Sequence, residues 1–203
     1  MDKRYLLDLE KHGVSIPRTC FLNSKESFNV ASVQSLLATD EVVMKPTVSA
    51  SAWNTWRCSL KEFSNNDRQK LNHLLANTNV MVQEYMPEIE VDGEWSLMFF
   101  GKEFSHAVRK YPVAGDFRVQ EELGGRYGLE PDPQADLIRQ ASDVLKIINE
   151  PLLYARIDGI VRAGKFILME LELLEPSLFF DANLAAAKRF CERVVEVMGV
   201  RWR

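Results

Sequence analysis

Cysteine is scarce in this sequence: Cys20, Cys58 and Cys191 are its only three among 203 residues, and none stands in a C-x-x-C pair. An odd, scattered set gives neither a disulfide framework nor a zinc knuckle, and it fits a reducing compartment. Histidine is equally sparse, since His12, His73 and His106 lie far apart, which argues against a histidine metal site. No apolar run approaches the ~20 residues of a membrane span. The first dozen residues alternate charge with leucine, unlike a secretory signal. A basic excess is also lacking. With 25 Lys+Arg against 29 Asp+Glu the net charge is −4, which offers no general field for duplex nucleic acid or an anionic membrane. The expectation is a cytoplasmic protein with no nucleic-acid or membrane partner.

What remains is an ordinary globular composition, 46% hydrophobic and 27% charged. A chain of this length buries roughly 70% of its unfolded surface and needs no covalent staple. Residues 2–12 read as a short helix stopped at Gly13, and 18–22 as a strand after Pro17. A helix from about Ser27 to Ala38, a strand Glu41–Lys45 ended by Pro46, and a small-residue loop from Thr47 to Asn54 follow. Asn65 is placed to cap a helix through Leu75, and Val80–Tyr85 reads as a strand.

The second half begins with a hairpin, Glu94–Phe100 and Glu103–Tyr111, turned at Gly101-Lys102. A glycine-rich stretch, 123–128, precedes an amphipathic helix over 134–149, with Leu137, Ile138, Ala141, Val144, Leu145 and Ile148 on one stripe. A long hairpin over 154–174 and a last helix capped by Asp181 and stopped near Gly199 complete the chain. The class is α+β, with mostly antiparallel strands and helices packed on them.

Alternation within the 154–174 hairpin carries the sharpest chemical signal. Ala155, Ile157, Gly159 and Val161, with Ile167, Met169, Leu171 and Leu173, form an apolar face; Arg156, Asp158, Arg162, Glu170 and Glu172 form the other. A two-residue turn at Ala163-Gly164 would oppose Asp158 to Met169 and mix the faces. A three-residue loop, Ala163-Gly164-Lys165, opposes Asp158 to Glu170 and keeps them apart, so that loop is expected. Three carboxylates that close raise one another's pKa or require a cation, and hard oxygen donors suit Mg²⁺. The alternative is a solvated face on which Arg156 and Arg162 neutralise the acids. Spacing alone leaves both readings open.

Three strings taken in order add to this. Val-Val-Met-Lys45-Pro, Val-Gln83-Glu84-Tyr85-Met86, and Asp158 followed by Glu170-Leu-Glu172-Leu-Leu-Glu-Pro176 resemble an ATP-grasp ligase. The stretch from Gly93 to His106 narrows the resemblance to the branch around bacterial glutathione synthetase and the ATP-grasp ligase that closes the cycloserine ring. The resemblance implies two lobes of mostly antiparallel sheet, residues 1–86 and 87–203. It implies ATP and Mg²⁺ (or Mn²⁺) as cofactors, with small carboxylic acids and amines as substrates. A substrate carboxylate would attack the γ-phosphate, and an amine would capture the acyl phosphate.

By position, Lys45 and Lys3 match the family's phosphate-contacting lysines. Gln83, Glu84, Tyr85 and Met86 match the hinge that meets adenine. Glu94, or its competitor Glu90, matches the acid that holds the ribose. Asp158, Glu170 and Glu172 match the metal ligands. Arg109, Arg118 and Arg126, with Gly124-Gly125, match the groups around the transferring phosphate and the acceptor, and Arg156 stands beside the acids.

Two departures are expected to matter. The loop Thr47–Ala52 has no glycine where the family often has a glycine-rich phosphate cover. Family members also carry an N-terminal domain before the Lys3 position, so a further domain or a partner chain is expected to complete the acceptor site. The rival readings are a non-catalytic nucleotide-binding module serving regulation or assembly, and an α+β scaffold whose acids form only a salt-bridged surface.

Overall fold

The computed structural model describes residues 2–199, which divide into two units: 2–10 with 16–87, and 11–15 with 88–199. Each unit is built on one antiparallel sheet. In the first, β1 (Thr19–Leu22), β4 (Val80–Glu84), β2 (Glu41–Pro46) and β3 (Trp56–Ser59) pair in that spatial order. All five residues of β4 are buried, as a central strand requires. Helices α2 (Val30–Leu37) and α3 (Asn65–Leu75) contribute Val33, Leu37, Leu71, Leu74 and Leu75 to a core with Val42, Met44, Val80 and Val82. Residues 5–11 form α1.

The cap of α3 is one residue earlier than the sequence suggests. Ser64 accepts from the Asp67 amide and the Asp67 carboxylate reaches back to Ser64, a closed capping box, while Asn65 is already helical. Ser64→Ala is expected to cost about 1 kcal/mol, read as a lower midpoint in urea unfolding with an unchanged slope. Strand β3 is not among the elements the sequence suggests; its alternation, Trp-Arg-Cys-Ser, is only four residues long, and it holds only an edge.

The second sheet runs β7 (Arg126–Glu130), β6 (Glu103–Tyr111), β5 (Glu94–Phe100), β8 (Tyr154–Arg162), β9 (Lys165–Glu172). Helix α4 is one turn, Glu88–Val91. Helix α5 (Ala135–Lys146) buries Leu137, Ala141, Val144 and Leu145. Helix α6 (Leu184–Met198) ends at Gly199 in the left-handed conformation. Its N-cap is Asn183; Asp181, expected there, instead accepts from the Tyr127 hydroxyl. Where the sequence suggests only a glycine-rich turn, the mostly exposed edge strand β7 forms. Among the described residues, no helix is long and apolar enough to cross a membrane.

Both hairpins of this sheet combine a two-residue turn with a β-bulge on the second strand. At the β8–β9 turn, Arg162 pairs with Lys165, so Ala163 and Gly164 alone form the turn, at φ 51° and 77°. The three-residue loop is therefore not formed. Pairing is regular to Gly159↔Leu168, and then Asp158 opposes Glu170 because Met169 is bulged. The acids meet as expected, by a different device. The bulge also changes which β9 residues are buried: Phe166, Leu168 and Leu171 rather than Ile167, Met169, Leu171 and Leu173. In β5–β6, Phe99 pairs with Phe104 but Met98 with His106, so Ser105 is the extra residue. Beyond it Glu94 opposes Lys110, and Arg109 opposes Trp95.

Candidate functional site

One face of the second sheet carries a compact set of charges. Ser96, Asp158 and Glu170 stand in a row across β5, β8 and β9, with Glu94 and Lys110 on one side and Arg156 and Glu172 on the other. Asp158 is almost fully buried. Its carboxylate accepts from Arg156 Nε at 3.0 and 3.1 Å, from Lys110 Nζ at 3.3 Å and from the Ser96 hydroxyl. Arg156 also reaches Glu172 at 2.7 Å and donates to the Ser177 carbonyl at 3.3 Å. Lys110 donates to Glu94 at 2.5 Å.

These contacts sort the protonation states. Burial by itself would raise Asp158, but Arg156, Lys110 and the hydrogen bonds from Arg156 and Ser96 outweigh it and hold the carboxyl at about 2. Glu94 is pushed up by burial, with Asp158 and Glu170 adding repulsion that Lys110 only partly offsets. Glu172 is raised by burial, and by Asp158 and Glu170, against the pull of Arg156. Four carboxylates thus face two cations, leaving two negative charges, the charge that one divalent ion balances. Asp158, Glu170 and Glu172 each offer an oxygen, and these lie within 4.8 Å of one another. A hard, oxygen-only donor set of this size fits Mg²⁺ or Mn²⁺, both of which keep waters and share phosphate oxygens.

The other arginine candidates are not gathered with this set. Arg109 lies on the opposite face, stacked 3.9 Å from the Trp95 ring and paired with Glu130. Its neighbour Lys110 enters the cluster instead, because the Ser105 bulge shifts β6 by one residue. Lys110 and Ser96 are the two residues the sequence reading passed over. The signal that finds them is alternation outward from Glu94, once the bulge is known. Arg118 is held in the 112–120 loop by Asp116, at 2.7 Å, and that ion pair brings Asp116 to about 2. Arg126 is exposed at the start of β7. Gly125 is required by its surroundings: a Cβ there would lie 2.2 Å from the Val119 carbonyl oxygen.

In the first unit, Lys45 shares a face of the sheet with Val43, Met81 and Gln83, opposite the helices. Lys3 is buried; its amide donates to the Thr47 carbonyl and its Nζ to the Ser49 carbonyl, so it ties down the start of the 47–55 loop. That loop places Ser51, Ala52 and Asn54 at positive φ, a conformation that usually selects glycine. Gln83 donates to the Thr19 hydroxyl. Glu84 is engaged by Arg18 at 2.7 Å, and the amides of Glu84 and Tyr85 are used within the sheet by the Arg18 and Glu41 carbonyls. Tyr85 stacks under Arg57, and Met86 is buried. Glu90 is exposed on the one-turn helix α4 of the second unit, and not on the strands that carry the charged row with Glu94.

Residues 12–167 match the family model of the prokaryotic glutathione synthetase ATP-grasp domain. The cycloserine biosynthesis protein DcsG of Streptomyces lavendulae is 30% identical over 210 residues, covering 97% of this chain and 69% of that protein. The crystal structure of D-cycloserine synthetase DcsG matches with a TM-score of 0.81 at 29% identity, over 96% of this chain and 69% of that one. D-Alanine–D-alanine ligase from Bacillus anthracis matches with a TM-score of 0.72 at 16% identity, over 96% of this chain and 66% of the other, a likeness of fold alone. The chain thus spans about two thirds of the length of these proteins.

Proposed function

We propose that this chain, which belongs to the prokaryotic glutathione synthetase family of ATP-grasp ligases, joins a small carboxylic acid to an amine at the expense of ATP. The observation that carries this reading is the charged row on the second sheet, where three carboxylates converge beside Lys110 and Arg156. In the proposed reaction a substrate carboxylate oxygen attacks the γ-phosphorus and ADP leaves. The amine nitrogen then attacks the acyl carbon, loses a proton and expels phosphate. Such transfers depend on positioning and charge neutralisation more than on covalent catalysis.

Each residue type suits its part. Asp158, Glu170 and Glu172 would hold Mg²⁺ or Mn²⁺, which when bound neutralises phosphate oxygens. Lys110 and Arg156 stand on the same face, placed to meet charge that develops there. Lys45 and Lys3 supply cations to the nucleotide phosphates from the first lobe, residues 1–86. The segment Gln83–Met86 meets adenine. Of the two acids considered for the ribose, Glu94 shares a face with the metal set and Glu90 does not, so Glu94 is assigned. Arg118 and Arg126, with Gly124-Gly125, serve the acceptor from the 112–125 segment and the start of β7 in the second lobe, residues 87–203. Arg109 is left to a structural role, stacked on Trp95.

The test is incubation of purified protein with ATP, Mg²⁺ and a mixed pool of amino acids and small carboxylic acids. Mass spectrometry is expected to show an amide product in step with ADP. Nucleotide binding without ADP release from any pool would favour the non-catalytic module, and absence of nucleotide binding would sink both readings.

A further inference from the structure

Asp158 has only a limited number of acceptor positions, and the structure shows how they are divided. Oδ1 receives the Ser96 hydroxyl, Lys110 Nζ at 3.3 Å and Arg156 Nε at 3.1 Å, so three residues converge on it. Oδ2 receives only the Arg156 guanidinium, at 3.0 Å from Nε and 2.9 Å from Nη2. Ser96 is wholly buried, and it is the direct cross-strand partner of Asp158. Its hydroxyl therefore comes from the rigid centre of the sheet rather than from a mobile side chain. Arg156 spans both oxygens and so cannot by itself choose between them, and Lys110 divides its charge between Asp158 and Glu94. Ser96 binds Oδ1 alone.

The geometry points to Ser96 as a positioning residue that pins Oδ1 of Asp158 and presents Oδ2, as a single ligand, to the cation. This rests on the metal reading of the acidic cluster proposed above. A carboxylate held by one oxygen matches the near-octahedral demand of Mg²⁺, whereas Ca²⁺ tolerates bidentate and irregular coordination. Loss of the hydroxyl leaves Oδ1 with one donor fewer, and so freer to join Oδ2 at the cation. Ser96 thus tunes which divalent ion the site prefers, and its removal costs Mg²⁺ more than Ca²⁺.

The experiment is Mn²⁺ binding by electron paramagnetic resonance, with Mg²⁺ and Ca²⁺ as competitors, on wild type, Ser96→Ala, Ser96→Thr and Glu170→Gln. Ser96→Ala is expected to weaken Mg²⁺ 10- to 100-fold, the usual effect of losing a group that orients a ligand, and Ca²⁺ by clearly less. Ser96→Thr, which keeps the hydroxyl, is expected to restore the wild-type preference. Ser96→Ala with both affinities unchanged, or with both reduced by the same factor, would overturn the assignment while Glu170→Gln still loses the ion. If wild type binds no Mn²⁺, or Glu170→Gln binds it as wild type does, the metal reading itself fails and takes the assignment with it.

Discussion

Glu170→Gln is expected to cut Mg²⁺-dependent ADP release by about 10²–10³-fold, the usual loss when one fixed charge is removed from such a centre, with little change in melting temperature. Glu170 is half-buried at the rim of a cluster that already holds two excess negative charges. Neutralising it relieves repulsion on Glu94 and Glu172, both of which are raised in part by Glu170. The proposed metal site loses a ligand, while the buried Asp158–Arg156–Lys110 contacts stay in place. Asp158→Asn is expected to behave differently although it removes the same charge. Asp158 is the shared partner of Arg156 and Lys110, both largely buried. Breaking such a pair typically costs 3–5 kcal/mol, because the cations remain without the anion. In a chain of this size that corresponds to a fall of roughly 6 °C or more in Tm. Thermal unfolding alongside a coupled ADP assay separates the two variants. Equal melting temperatures for Asp158→Asn and wild type would mean that the ion pairs contribute nothing to stability.

Gly159→Ala is the second large effect. The ring of Phe166 packs over Gly159, so an added Cβ would lie 2.4 Å from the Phe166 ring and 2.5 Å from the Ile167 carbonyl oxygen. The ring is a side chain and can turn. The carbonyl belongs to the β9 backbone and cannot move without dragging the strand. Gly159 pairs with Leu168, immediately before the Met169 bulge, so the shift falls where Asp158 and Glu170 are brought together. Overpacking of this kind costs about 1–3 kcal/mol, or roughly 2–12 °C in Tm. The expected result is a lower Tm together with weaker metal dependence of ADP release. An unchanged Tm would show that the strand yields freely.

Much of this fold is legible in the residues. Both hairpins of the second sheet and α5 follow from turn chemistry and periodicity. The helix stop at Gly199 follows from the left-handed conformation that glycine takes without strain. Edge strands are less visible: β3 and β7 are held by ladder hydrogen bonds to a neighbour, which any sequence can supply, and their alternation of two apolar residues each is too short to stand out. Bulges are the least visible, since an extra residue such as Met169 or Ser105 has no signature of its own. The Asp158–Glu170 pairing could still be anticipated, because the apolar face must be kept whole whatever the device. The choice between Arg109 and Lys110 could not, because either register leaves a basic residue opposite Glu94. Nor does the sequence reveal that Glu84 is occupied by Arg18 across a separation of 66 residues.

The two bulges also bear on how such a site changes over time. Side chains along a strand repeat with a period of two, and an extra residue is a half-period slip. Drawing Ser105 into a regular ladder would bring Arg109 opposite Glu94 in place of Lys110 and exchange an ammonium for a guanidinium beside the acids, with no codon substituted, whereas deleting Ser105 would leave Lys110 where it is. Removing Met169 would leave Glu170 opposite Asp158 in a now regular ladder. Losing the extra residue and losing the bulge are therefore unequal as evolutionary steps: the first alters only the local twist, and the second rewrites the charge chemistry of the site. Comparison of strand lengths among relatives, rather than of residue identities, is where that history would be recorded.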